Sequence, residues 1–243
     1  MFLTFKKWTA LYILCLIAIF VVFGLILRQG NAVQTSAAAL SEESLPVLII
    51  DPGHGGEDGG AVANDGTVES GINLSVALMV EDLARLAGWD TVMTRREDIS
   101  IHDEGSETIR EKKNSDLRNR VALCNSVEGG ILISIHQNSL PSVPSVHGAQ
   151  VFYNGVGDSE FLAQAIQDEL NRTVNGESGK EIKRTGDNIY LMANVTCPAV
   201  LVECGFLSNP QEAGKLTDPQ YQRSLAQALC RGIQEFLEGE AQG

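Results

Sequence analysis

The chain has 243 residues, of which 31 are acidic and 18 basic, giving a formal net charge of −13 at neutral pH. Nucleic-acid binding demands clustered cations, and the densest basic patch, Arg110 to Lys113, is broken by Glu111, so no nucleic-acid partner is expected. The five cysteines (Cys15, Cys124, Cys197, Cys204 and Cys230) show no CxxC spacing, which argues against a zinc knuckle or a disulfide framework.

The first feature along the chain is an apolar run from Trp8 to Leu27, preceded by Lys6 and Lys7 and followed by Arg28, with no acidic residue before Glu42. A run of about 20 residues spans a bilayer as a helix, whereas the core of a cleaved signal is usually shorter. Residues 1–32 therefore read as an N-terminal hydrophobic helix, a signal peptide or membrane anchor. The small residues Gly30-Asn31-Ala32 and Ala37 to Ala39 keep signal-peptidase cleavage open. The two lysines place the remainder outside the cytoplasm. Of the 18 basic residues, Lys6, Lys7 and Arg28 flank the run, so the rest of the chain carries 15 against 31 acidic. Residues 33–45, rich in Ala, Ser and Glu, read as a linker. Residues 46–238 then have the length of one domain with its own core, and 239–243 form a tail.

Within that domain, strand-like runs occur at Val47 to Ile50, Thr91 to Thr94, Gly130 to Ile135, Ala149 to Tyr153 and Val200 to Val202. Helical patterns lie between them. Ile72, Val76, Val80, Leu83, Ala84 and Leu86 predict a helix over 69–87, and further helices are expected near 115–127, 158–173 and 219–238. In the last, Tyr221, Leu225, Leu229, Ile233 and Phe236 form one apolar stripe. Strands alternating with helices predict a three-layer α/β domain. Arg96 to Asp116 is charged and unpatterned and reads as a long loop, either a binding element or a solvated insertion.

Four polar residues stand where a core pattern gives way: His54 after the first strand, Glu69 at the start of the first helix, His136 at the end of Gly130 to Ile135, and Glu203 after Val200 to Val202. In an open α/β sheet, ligands collect at the carboxyl ends of strands. Two histidines and one glutamate form a three-ligand set that leaves a fourth zinc position for water, and a second carboxylate completes a hydrolase able to cleave amides. Plainer readings exist for each. A lone histidine is often merely solvated, Glu69 suits a helix N-terminus through the helix dipole, and Glu203 suits an arginine partner. Neither histidine segment is HExxH, and spacing alone does not force convergence. His102 and His147 read as surface histidines. Cys204 reads as a small core residue rather than a nucleophile. An oxidised Cys197–Cys204 pair is compatible with an extracellular setting, with buried free thiols the simpler state.

Several segments together resemble a family, the zinc-dependent N-acetylmuramoyl-L-alanine amidases of the amidase-3 type. They are Asp51-Pro52-Gly53-His54-Gly55-Gly56 with Gly59-Gly60-Ala61; Glu69; Thr94-Arg95 with Asp98; Arg120 with Asn125; Ser134-Ile135-His136-Gln137-Asn138; and Val202 to Asn209. The resemblance implies zinc held by His54, Glu69 and His136, with Glu203 as the catalytic carboxylate. It also implies a mostly parallel or mixed six-stranded sheet flanked by helices. Asp116 to Val121, Gly148 to Tyr153, Ile166 to Leu170 and Ile189 to Met192, with the N-terminal segment and the lack of wall-binding repeats, are most similar to the germination-specific spore-cortex amidases. For that subgroup the resemblance implies cleavage of the amide between N-acetylmuramic acid and L-alanine in peptidoglycan, ahead of muramic-δ-lactam formation, in the space between the forespore membranes. An activating lipoprotein partner is implied for some members. The alternatives are a vegetative autolysin for cell separation and a catalytically silent amidase-like binding or activator protein, the intact set of four site residues arguing against the silent one. Ser70 stands where the family commonly has lysine, and Cys204 where it commonly has a small apolar residue.

Overall fold

The computed structural model describes Leu45 to Glu240; the expected N-terminal helix, nearly all of the linker and the end of the tail lie outside the described residues. Six strands form one sheet in the order β2-β1-β3-β6-β4-β5. They are β1 (Val47–Pro52), β2 (Thr91–Met93), β3 (Gly130–Asn138), β4 (Gln150–Tyr153), β5 (Lys183–Arg184) and β6 (Ala199–Phe206). The strands β2, β1, β3 and β6 run parallel, β4 is antiparallel to β6, and the two-residue β5 lies parallel to β4 at the edge. The mixed six-stranded sheet matches the expectation.

Alternation along the central strands sends side chains to two cores, as a sheet covered on both faces requires. Leu48 and Ile50, Ile131, Ile133 and Ile135, and Val200, Val202 and Cys204 pack on one face with α1 (Glu69–Leu86), α3 (Ser159–Leu170) and α6 (Pro219–Glu240). Ile49, Leu132, Ala199 and Leu201 pack on the other with α2 (Ile109–Ser126) and the short α4 (Tyr190–Asn194). A further short helix, α5 (Pro210–Leu216), follows β6. The α1 stripe is buried at Ile72, Val76, Val80 and Ala84, and the α6 stripe at Leu225, Leu229, Ile233 and Phe236. Leu86 departs from expectation: it is the last residue of α1 and is 84% exposed.

The charged segment 96–116 is also shorter as a loop than the sequence pattern implies. Its last part is already α2, which begins after Thr108. There the Thr108 hydroxyl accepts from the Glu111 N–H and the Glu111 carboxylate accepts from the Thr108 N–H, a reciprocal cap that fixes the helix start. α3 runs into a wider turn at Asn171–Asn175.

Chain order and strand order together locate the functional end. From β1 the chain leaves through α1 to β2 on one side, whereas from β3 it leaves toward β4 and β6 on the other. The carboxyl ends of β1 and β3 therefore mark the topological switch point, the place where open α/β sheets bind ligands.

Candidate metal centre and active site

β1 ends at Pro52, and the chain turns so sharply after it that His54 adopts φ 60°. A non-glycine residue in that region is held there by its surroundings. Two buried arginines do the holding. Arg95 donates from Nε to the Pro52 carbonyl at 2.9 Å and from Nη2 to the Gly53 and Ser70 carbonyls, each at 2.9 Å. Arg120 donates from Nη1 to the Pro52 carbonyl at 2.9 Å and from Nη2 to the His54 carbonyl at 2.7 Å. Its charge is met by Asp51 and Asp116, both at 2.6 Å. Asp51 in turn accepts from the Ser134 and Thr94 hydroxyls, at 2.6 and 2.7 Å.

Three donor side chains converge at this corner. The imidazole of His54 donates from Nδ1 to Asp58 Oδ2 at 3.0 Å, which leaves Nε2 facing Glu69 Oε1 at 3.4 Å. Glu69 is the first residue of α1, and its Oε2 accepts from the Ala61 N–H at 2.8 Å. Its Oε1 lies 2.9 Å from His136 Nδ1 and accepts from the Gln137 N–H at 3.0 Å and from Asn73 Nδ2 at 3.2 Å. The ligand atoms of His54, Glu69 and His136 all lie within 4.8 Å of one another. Burial pushes the Glu69 carboxyl up, but His136 and His54 outweigh it and hold the group down at about 2. Burial disfavours the charged form of His136, yet Glu69 and Glu203 raise its pKa above the usual histidine range. The glycines of the turn make room. A Cβ on Gly53 would lie 2.2 Å from His136 Cε1 and Nε2, and one on Gly60 would lie 2.5 Å from Glu69 Oε2.

Glu203 lies inside β6 rather than after it, since the strand continues to Phe206. It is the register partner of His136 on the adjacent parallel strand, so the two side chains share a face. Its Oε2 is buried and has no hydrogen-bond partner. Burial pushes its carboxyl up to about 7, against the opposing pull of His136, with Glu69 adding to the rise. Two imidazole nitrogens, one carboxylate oxygen and an adjacent uncommitted carboxylate fit a divalent metal with open coordination positions. All four side chains singled out in the sequence thus meet at one end of the sheet.

Other candidates do not reach this corner. His102 bonds Ser100 Oγ at 2.9 Å, and His147 bonds the Ser145 carbonyl at 2.9 Å. Among the described residues the cysteines are free. Burial pushes the Cys204 thiol up to about 12, the opposite of an activated nucleophile. A Cys197–Cys204 bridge is ruled out by the strand between them. Extended chain rises about 3.3 Å per residue, which carries the two far past disulfide reach.

Residues 48–235 match the N-acetylmuramoyl-L-alanine amidase family, Amidase_3. The chain belongs to this family. The chain is an enzyme of the N-acetylmuramoyl-L-alanine amidase class. The germination-specific N-acetylmuramoyl-L-alanine amidase of Bacillus subtilis (strain 168) is 42% identical over 192 residues, 79% of each chain. The CwlD amidase from Clostridioides difficile, solved in complex with the GerS lipoprotein, superimposes with a TM-score of 0.76 at 38% identity over 80% of this chain and 99% of that one. The catalytic domain of CwlV from Bacillus (Paenibacillus) polymyxa var. colistinus gives a TM-score of 0.68 at 29% identity over 79% and 98%.

Asp51, Arg95, Arg120 and Gln137 stand within the family motifs without a role assigned to them from sequence, and Asp58 and Asn73 are not singled out there. Arg120 carries one legible signal, an aspartate four residues earlier on the same helix face. Its carbonyl partners, 66 and 68 residues away, leave no local trace.

Proposed function

We propose that this chain is a zinc amidase that cleaves the bond between the lactyl group of N-acetylmuramic acid and the L-alanine of the stem peptide. In this reading His54 Nε2, Glu69 and His136 Nδ1 hold the zinc. When bound, zinc supplies a water acid enough to ionise near neutral pH and polarises the scissile carbonyl. Glu203 is the general base. It takes the proton of the attacking water and delivers it to the departing nitrogen of alanine. The observation that carries this role is the buried, unpartnered Oε2 of Glu203 beside His136 in register. Burial raises this carboxyl toward the range useful for a base at neutral pH, and a cation in the cluster would draw it down again.

The test is Glu203→Ala. It is expected to retain one zinc per chain while release of free stem peptide from purified peptidoglycan falls by about 10²–10⁴-fold. Retention of most activity would remove Glu203 from the role of base. His54→Ala and His136→Ala are expected to lose both zinc and activity.

The biological setting we infer is the spore cortex, where amide cleavage exposes muramic acid for δ-lactam formation and so marks the cortex for germination. The germination-specific relative supports this reading. The enzyme would act outside the cytoplasm, held at the membrane by residues 1–32 if they are not cleaved. The lipoprotein complex of the Clostridioides difficile relative supports an activating lipoprotein partner. Deletion of the gene is expected to give spores that form but fail to complete germination. Chained cells with normal spores would favour a vegetative autolysin instead.

A further inference from the structure

The helix α2 approaches the metal corner with a second grip besides Arg120. Lys113 Nζ lies 3.1 Å from Asp58 Oδ2, the same oxygen that accepts from His54 Nδ1 at 3.0 Å. One turn apart on that helix face stand Lys113, Asp116 and Arg120, at positions i, i+3 and i+7. Arg120 fixes the His54 backbone through its carbonyl. The neighbouring Lys112 pairs with Glu57 at 2.7 Å, a second strap on the same turn.

Asp58 has little else to define its carboxylate. Its backbone is tied to Gly55 in both directions, with Gly55 N–H to Asp58 O at 2.8 Å and Asp58 N–H to Gly55 O at 3.3 Å, but its side chain is 29% exposed. A half-exposed carboxylate turns toward water unless a partner restrains it. The orientation of His54 depends on that carboxylate, because a proton held on Nδ1 by Asp58 is what presents the Nε2 lone pair to the cluster.

We propose that Lys113 is a positioning residue for the metal centre, acting through Asp58 on the ring of His54. The proposal rests on the metal-site reading given above. It assigns to the charged segment before β3 a role at the active site: one helix clamps the same histidine twice, by its carbonyl through Arg120 and by its ring through Lys113 and Asp58. Because Lys113 is 50% exposed, the grip weakens in salt.

The experiment measures the zinc dissociation constant of the full chain by competition with a chromogenic chelator, at low and high ionic strength, for wild type, Lys113→Met, Lys113→Arg, Asp58→Asn and the Lys113→Met/Asp58→Asn pair. The second readout is the His54 Nδ1–H resonance in the chelator-treated protein, and the third its thermal midpoint. Lys113→Met is expected to weaken zinc binding about tenfold, with Lys113→Arg restoring most of it and the double variant no worse than Asp58→Asn. Added salt should bring wild type toward Lys113→Met, the Nδ1–H resonance should broaden or vanish in that variant, and the midpoint should stay unchanged. If wild type binds zinc and Lys113→Met binds it equally tightly, the role of Lys113 is overturned and the metal site stands. A loss of affinity matched by a fall in the midpoint of the chelator-treated protein also overturns it, in favour of a merely structural lysine. If wild type binds no zinc, the metal reading fails and this proposal fails with it.

Discussion

Arg120, on α2, donates from Nη2 to the backbone carbonyl of His54 at 2.7 Å and thereby holds a candidate metal ligand in a left-handed conformation that its own chemistry disfavours. The same guanidinium meets Asp51 and Asp116, so its charge is compensated inside the protein.

Removing that guanidinium is expected to be severe. Arg120→Ala leaves Asp51 buried without its cation and strips the His54 carbonyl of its guanidinium donor, while the Pro52 carbonyl keeps its bond from Arg95. Breaking a buried pair from one side costs about 3–5 kcal/mol. Urea denaturation should show this as a lowered midpoint. Arg120→Lys should not rescue it, because a single ammonium cannot reach two carboxylates and two carbonyls in a fixed fork. A midpoint equal to wild type would mean that the clamp contributes nothing to the fold.

Asp51 sets part of the acid stability. Burial pushes its carboxyl up, but Arg120, Ser134 and Thr94 outweigh burial and hold its pKa below the ordinary value. A carboxyl depressed in the folded state contributes stability that is fully present above the unfolded pKa of about 3.9 and is lost as pH falls toward the folded value. Urea midpoints measured downward from pH 6 should therefore fall most steeply below about pH 4. Asp51→Asn should start lower and show a shallower fall. Parallel slopes would count against this assignment.

Gly53→Ala tests steric closeness at the candidate metal corner. The added methyl would sit 2.2 Å from two atoms of the His136 ring, which must swing away. The variant should fold, with zinc affinity reduced about tenfold or more, the scale typical of disturbing a ligand's orientation. Equilibrium chelator competition reads the loss directly. Unchanged affinity would show that the ring shifts without leaving its ligand position.

Zinc should also stabilise the fold by mass action. At a free concentration 100 times the dissociation constant, linkage gives about 2.7 kcal/mol. For a domain of this size that is a rise of roughly 5–10 °C in the thermal midpoint. Chelation should reverse the rise, and His54→Ala should abolish it. A midpoint indifferent to zinc in wild type would remove the metal from the folded ground state.

The sequence exposes those parts of the site that sit at boundaries of strong patterns. His54, Glu69, His136 and Glu203 each interrupt or end an apolar strand or open an apolar helix, so the period that marks the core also marks them. The strands β1, β3 and β6 stand out for the same reason, being buried on both faces. What escapes is held together by distant partners or is too short to carry a period. β5 has two residues, α4 and α5 are brief, and the arginine clamps bind backbone carbonyls that have no residue type. The start of α2 was legible in principle, since Thr108 and Glu111 have the spacing of a reciprocal cap, but the surrounding charge hid it.

The His136–Glu69 contact joins residues 67 apart in the chain, and the Arg120–His54 contact residues 66 apart. No hairpin, single helix or early fragment contains the whole constellation, and the candidate ligands meet only when β1, α1, α2 and β3 have all docked. A wall-cutting chain built this way is inert for as long as it is incompletely folded. Its lytic capacity arrives as an all-or-none property of the finished domain.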